Sequence, residues 1–296
     1  MGLINGAATA IITPFKNGEV NFKEFGRLID WQIEEGIGGI VVLGTTGEAA
    51  TMDEFERKEV MQYAIDRINK RVPAIIGVGS NDTKYCAKMS QYAESIGADA
   101  LLIVTPYYNK TTQRGVVKHY EYIADKVETP IIIYNVPSRT GFHIGVEAVV
   151  ELSKHRNIRA IKEASGDIGY VAKLASKVPK DFEIYSGNDD MVLPLMSLGG
   201  KGVISVVSNI LPREVQSMVD NYLSGNLEEA TKMQIELIGI ISALFVETNP
   251  IPVKTSLNIM GWEAGELRLP LYEMGLSNKK ILIEEMKKVV LKIHEN

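Results

Sequence analysis

The amino-acid sequence predicts an α/β protein, a (β/α)8 TIM barrel with a C-terminal helical appendage, and three observations carry that prediction. Eight short runs rich in β-branched and apolar residues recur within the first 206 positions. Each run is nearly continuous in hydrophobicity rather than alternating, as expected of a parallel strand covered on both faces. Stretches with a helical period follow the strands, and a repeat of roughly 20 to 35 residues is that of β-then-α units closing into a barrel.

Taken in order, the strands fall at 7–12, 39–43, 74–78, 100–104, 131–135, 158–162, 183–186 and 202–206. Helical periodicity appears at 22–35, 54–68, 83–96, 116–127, 146–153 and 171–178. Asp53 and Asp82 stand just before two of these helices, where a carboxylate accepts from first-turn N–H groups. Gly36, Gly97 and Gly199 precede strands, where a left-handed residue closes the preceding helix. From about Asn226 the pattern is helical with no further strand, so the chain reads as a catalytic barrel over 1–225 and a C-terminal helical domain over 226–296. Asn249-Pro250-Ile251-Pro252 is the sharp break there, since proline cannot continue a helix but suits its first turn.

Composition narrows the function classes. At 296 residues, 45% of them hydrophobic, the chain can bury about three quarters of its unfolded surface. A net charge of −5 without a basic face argues against nucleic acid and anionic membrane as partners. Cys86 is the only cysteine, so no intramolecular disulfide forms, which fits a reducing compartment; it reads as a small packed side chain on the third helix. Met1-Gly2-Leu3-Ile4-Asn5-Gly6 lacks a basic n-region and a myristoylation signal, so a cytoplasmic location is expected. The longest apolar run, 237–246, falls far short of the roughly 20 residues that cross a bilayer and reads as a buried helix.

Barrel active sites lie at the C-terminal ends of the strands. Lys162 closes the sixth strand ahead of Glu163-Ala164-Ser165-Gly166, and an ammonium at the end of a buried strand asks for a partner or a reaction. Semi-burial lowers a lysine from about 10.4 toward about 7 to 8, where the neutral amine attacks a ketone to form a Schiff base. Tyr134, at the end of the fifth strand, is placed to shuttle the protons of carbinolamine formation and dehydration. The bland alternatives are a lysine snorkelling from the rim and an aromatic side chain with a satisfied hydroxyl. Gly44-Thr45-Thr46-Gly47-Glu48 offers backbone N–H groups and two hydroxyls to a small carboxylate, though a tight turn capping a helix looks the same. In Tyr134-Asn135-Val136-Pro137-Ser138-Arg139-Thr140-Gly141, Arg139 presents a planar fork suited to a second carboxylate, where an isolated loop arginine is usually solvated.

Other features read as structural. Gly77-Val78-Gly79 and Gly199-Gly200-Lys201-Gly202 lack the remainder of a dinucleotide or phosphate motif. His119, His143, His155 and His294 have no metal-ligand spacing, so no metal is expected.

With these residues in this order, the chain resembles the dihydrodipicolinate synthase family of the pyruvate-dependent class I aldolase superfamily over essentially its whole length. Further matching stretches are Ile12-Thr13-Pro14-Phe15, Val104-Thr105-Pro106-Tyr107-Tyr108-Asn109, Ser186-Gly187, Gly202-Val203-Ile204-Ser205 and Asn249-Pro250-Ile251-Pro252-Val253-Lys254. Arg139 marks the synthase branch; N-acetylneuraminate and sugar-acid lyases carry other residues there and form the alternative. The resemblance implies that pyruvate forms an imine on Lys162 and condenses with L-aspartate 4-semialdehyde, on the route to diaminopimelate and lysine. It implies a proton relay of Thr45, Tyr108 and Tyr134, with Tyr108 reaching across a dimer interface. Thr46 would hold the pyruvate carboxylate, Arg139 the semialdehyde carboxylate, and Gly187 and Ile204 would line the pocket. No metal or organic cofactor is implied, and the expected assembly is a homotetramer, a dimer of tight dimers.

One departure is expected as well. Many members of the family are inhibited by lysine bound in a cleft at the tight-dimer interface. Where they carry a histidine and a glutamate, this chain has Glu54 and Tyr85, with Ala49 for a small hydroxyl and Arg57 for another histidine; Asn81 and Tyr107 keep the pattern. The resemblance therefore implies weak or absent feedback.

Overall fold

In a computed structural model of the chain, which describes residues 2–289, eight parallel strands close on one another. Met1 and His294 lie outside the described residues. The barrel strands are β1 (Ala7–Ala10), β2 (Ile40–Val42), β3 (Ala74–Gly77), β4 (Ala100–Val104), β5 (Ile131–Asn135), β6 (Ile158–Glu163), β7 (Glu183–Ser186) and β8 (Gly202–Ser205). β1 pairs with both β2 and β8, which leaves no open edge.

Alternation explains the continuous hydrophobicity of the strands. Ala8, Val41, Ile75, Leu102, Ile132, Ala160 and Ile204 form one buried cluster that fills the barrel. Their chain neighbours Ala7, Ile40, Ile76, Leu101, Ile133, Ile161 and Val203 belong to a second cluster, shared with the surrounding helices. Both faces are largely dry, so polar side chains are few along the strands: Thr9 in β1 bonds to Gln32, and Arg159 and Glu183 sit at the N-terminal ends of β6 and β7.

The helices around the barrel are α1 (Phe22–Glu34), α2 (Glu54–Ile68), α3 (Thr83–Ser95), α4 (Gln113–Ala124), α5 (Pro137–Thr140), α6 (Val146–Leu152), α7 (Ile168–Ala175), α8 (Val192–Met196) and α9 (Pro212–Leu223). Asp53 accepts from the Glu56 N–H, and Asp82 from those of Lys84 and Tyr85, as N-caps. α4 and α7 begin earlier than their apolar periodicity predicts, because Thr112 and Asp167 cap them by accepting from Gly115 and Tyr170. A two-stranded hairpin, Phe15–Lys16 with Glu19–Val20, was not foreseen; two-residue strands carry no periodicity.

Three further helices follow: α10 (Leu227–Leu244), α11 (Ile251–Ile259) and α12 (Leu276–Val289). α10 packs on α9, and α12 on α10. The apolar run at 237–246 is only half buried. Leu237, Ile240, Ile241 and Leu244 face the core and Ile238 is exposed, because a helix of period 3.6 turns one stripe inward, and Phe245 and Val246, past the end of α10, are exposed as well. Cys86 is buried, and burial pushes its thiol up to about 12. No helix among the described residues is long and apolar enough to cross a membrane.

Candidate functional site

Strand register places the central pair. Tyr134 of β5 lies opposite Lys162 of β6, and Lys162 lies opposite Tyr185 of β7, at the C-terminal end of the barrel. Lys162 is 5% exposed, and its Nζ lies 4.6 Å from the centroid of the Tyr134 ring. Burial lowers its amine to about 8; the Asp189 charge pulls it up and the Arg139 charge pushes it further down. Burial raises the Tyr134 hydroxyl, while the Arg139 charge and a hydrogen bond with Thr45 draw it back down.

These groups border a cavity of about 190 Å³ whose walls include Thr45, Thr46, Tyr134, Arg139, Lys162 and Gly187. A second lobe of about 250 Å³ shares Gly44, Thr45, Tyr134 and Arg139 and continues to Ala49, Arg57 and Tyr107. Both lobes are smaller than pockets for drug-sized ligands and suit small acids. Gly187 is there for space: a Cβ would sit 2.6 Å from the Ala164 Cβ and 3.0 Å from the Lys162 Cε, so any larger residue would push the lysine aside.

The loop after β2 leaves its strand through Leu43 and closes through Glu48, both at positive φ. Thr46 is buried, and its Oγ1 accepts from the Asn249 Nδ2 at 3.0 Å. Glu48 forms a 2.8 Å ion pair with Lys254, both side chains being essentially inaccessible to solvent. The Arg139 Nη2 donates to the main-chain carbonyl of Asn249 at 3.1 Å. Glu163 turns the other way from Lys162 along β6 and accepts from the Asn135 Nδ2 and the Ser165 N–H, which leaves it outside the cavity.

Two expected site residues line neither lobe in the single chain. Ile204 is fully buried in the barrel interior with Tyr134, and Val206 takes the place at the cavity wall. Tyr108 is 91% exposed at φ 66° and lines neither lobe of its own chain. Asp189 escaped the sequence reading. It is buried, and its carboxylate accepts from the N–H groups of Val206 and Val207 at 2.9 and 3.3 Å. Its position just past the end of β7 was the available signal.

Farther along the second lobe, Arg57 donates to the Ala49 carbonyl and its guanidinium lies 5.9 Å from the centroid of the Tyr85 ring. Glu54 pairs with Lys58 and Lys88, each at 2.7 Å, and these bonds hold its carboxyl down at about 2. His119 is buried, bonded to the Thr83 hydroxyl, and held down to about 4 by desolvation. No group of three or more His, Cys, Asp or Glu suited to a metal ion occurs among the described residues.

Comparison with known proteins adds three findings. The model of the dihydrodipicolinate synthetase family matches residues 3–289. The 4-hydroxy-tetrahydrodipicolinate synthase of Thermoanaerobacter sp. (strain X514) is 53% identical over 283 residues, 95% of each chain, and that of Acetivibrio thermocellus is 50% identical over 285 residues, 96% of this chain and 97% of the relative. A crystal structure of dihydrodipicolinate synthase from Aquifex aeolicus is similar with a TM-score of 0.96 at 40% identity, covering 98% of this chain and all of that one.

Proposed function

The chain belongs to the dihydrodipicolinate synthetase family, and from that premise we propose that the Lys162 cavity condenses pyruvate with L-aspartate 4-semialdehyde to give 4-hydroxy-tetrahydrodipicolinate. The observation that carries the reading is a buried lysine amine brought down to about 8 at the same level of the barrel as a tyrosine hydroxyl. The Lys162 Nζ adds to the ketone carbon of pyruvate, and the carbinolamine loses water to a protonated imine. That imine withdraws electrons, a methyl proton leaves, and the resulting enamine carbon attacks the aldehyde. The aldehyde oxygen takes up a proton; the amine of the semialdehyde then adds to the imine carbon and expels Lys162, closing the ring. The protonated imine is itself the electron sink, so the sequence of steps calls for neither a metal nor an organic cofactor.

Tyr134, bonded to Thr45, is the proposed carrier of these protons, with Tyr108 supplied by a partner subunit as the third member. Its exposure in the single chain supports that role. Thr46 holds the pyruvate carboxylate and Arg139 the semialdehyde carboxylate, with Gly187 and Ile204 shaping the space around and beneath the lysine. We read residues 1–225 as the catalytic barrel, 226–296 as a helical domain, and the assembly as a cytoplasmic homotetramer. Lysine feedback is weak in this reading, because the replacement carboxylate of Glu54 is already held by two lysines.

Borohydride trapping tests the proposal. Treatment with pyruvate and borohydride should inactivate the enzyme and leave one reduced pyruvyl group on Lys162, read by peptide mass spectrometry. Retained activity, or label on another lysine, refutes it.

A further inference from the structure

Asn249 lies just ahead of α11 in the helical appendage, is buried, and lines the Lys162 cavity. It makes two bonds with different parts of itself. Its side-chain Nδ2 donates to the Thr46 Oγ1 at 3.0 Å, and its main-chain carbonyl accepts from the Arg139 Nη2 at 3.1 Å. An amide nitrogen only donates, so the Thr46 oxygen is committed as acceptor on that side and its own hydrogen is left for another partner.

We propose that Asn249 is a positioning residue: its side chain fixes the polarity of the Thr46 hydroxyl toward the pyruvate carboxylate, while its backbone separately tethers the arginine for the second substrate. The proposal rests on the roles given above to Thr46 and Arg139. The same loop is tied to the appendage a second time. Lys254, one helical turn beyond Pro250, pairs with Glu48 at 2.8 Å, and the Arg268 N–H donates to the other Glu48 oxygen at 3.1 Å. With Glu48 locked, Thr46 cannot drift to follow a lost partner.

The division between side chain and backbone makes the test specific. Asn249→Ala removes the bond to Thr46 and keeps the carbonyl that holds Arg139. The KM for pyruvate should rise about five- to tenfold, as for loss of one hydrogen bond to a charged group's partner, with the KM for the semialdehyde changed less than about twofold. In a Thr46→Val background the same substitution should add almost nothing to the pyruvate KM, because the hydroxyl it orients is gone. Asn249→Asp keeps the shape but presents only acceptors, draws the Thr46 hydrogen toward itself, and should slow pyruvate trapping more than alanine does.

Equal rises in both KM values, full additivity with Thr46→Val, or an Asn249→Asp enzyme that traps pyruvate at the wild-type rate overturns the proposal. Wild-type protein run in parallel separates the two readings. Trapping on Lys162 in the wild type with an unchanged pyruvate KM in Asn249→Ala refutes the positioning role and leaves the proposed reaction standing.

Discussion

Lys162→Met should leave the protein inactive and more stable. Burial holds the Lys162 amine at about 8 against an ordinary 10.5, and at about 1.4 kcal/mol per pH unit, keeping it charged at pH 7 costs the fold about 3 kcal/mol. The folded value lies below the unfolded one, so between pH 8 and 10.5 the unfolded chain binds more protons. Wild-type stability therefore rises with pH through that window, and below pH 8 the penalty is present in full. Methionine fills a similar volume with no charge to bury. In paired urea titrations of ligand-free protein, the variant should exceed the wild type by about 2 to 3 kcal/mol at pH 7, and the gap should close as pH approaches 10.5. Comparing the two proteins at each pH cancels the titration of every other group. A variant no more stable at pH 7, or a gap that ignores pH, refutes the reasoning. The same lowering also serves the chemistry, since at pH 7 it raises the neutral fraction of the amine about 300-fold over an ordinary lysine.

Arg139→Ala should cost tenfold or more in kcat/KM for the semialdehyde, for a charge-assisted contact of about 1.5 to 3 kcal/mol, while borohydride trapping of pyruvate stays near wild type; equal damage to both would point to a structural arginine. Tyr108→Phe and Lys162→Ala, each inactive alone, should regain partial activity when co-assembled, because a mixed dimer contains one site with both groups native; verified mixed dimers that stay inactive would remove Tyr108 from the neighbour's site. L-lysine should fail to inhibit at sub-millimolar concentration, since Tyr85 offers no carboxylate and Glu54 is engaged by Lys58 and Lys88; inhibition in that range would show that the cleft still works.

The strands were legible because burial on both faces leaves a nearly continuous apolar run, and Lys162 stood out because a charge sits at the C-terminal end of one. The structure brings Lys162, Tyr134, Thr45, Thr46 and Arg139 to one cavity, as strand-end positions imply. Asp189 and Asn249 were not singled out. A lone polar residue has no periodicity, and its meaning comes from partners that only folding brings close: Asn249 to Thr46 across 203 positions, Lys254 to Glu48 across 206. The stretch containing Asn249 and Lys254 was noticed for its prolines and its resemblance, yet nothing local shows that its polar side chains reach the barrel mouth. Tyr108 illustrates a different limit, since a residue whose proposed partner is another copy of the chain has no neighbours to reveal it within one. The starts of α4 and α7 were missed because Thr112 and Asp167 lie outside the apolar period that marks a helix.

The long separation between the loop at 44–48 and its holders at 249–254 also sets an order of events during synthesis. At about 5 to 20 residues per second, roughly 10 to 40 seconds pass between the making of the loop and the making of Asn249. By then every barrel strand, Lys162 included, has already been synthesised. A nascent chain thus carries Lys162 well before the residues that hold the 44–48 loop exist. The partners that hold the 44–48 loop therefore arrive only with the last sixth of the polypeptide, and a chain ended before Asn249 lacks both the Thr46 and the Glu48 contacts.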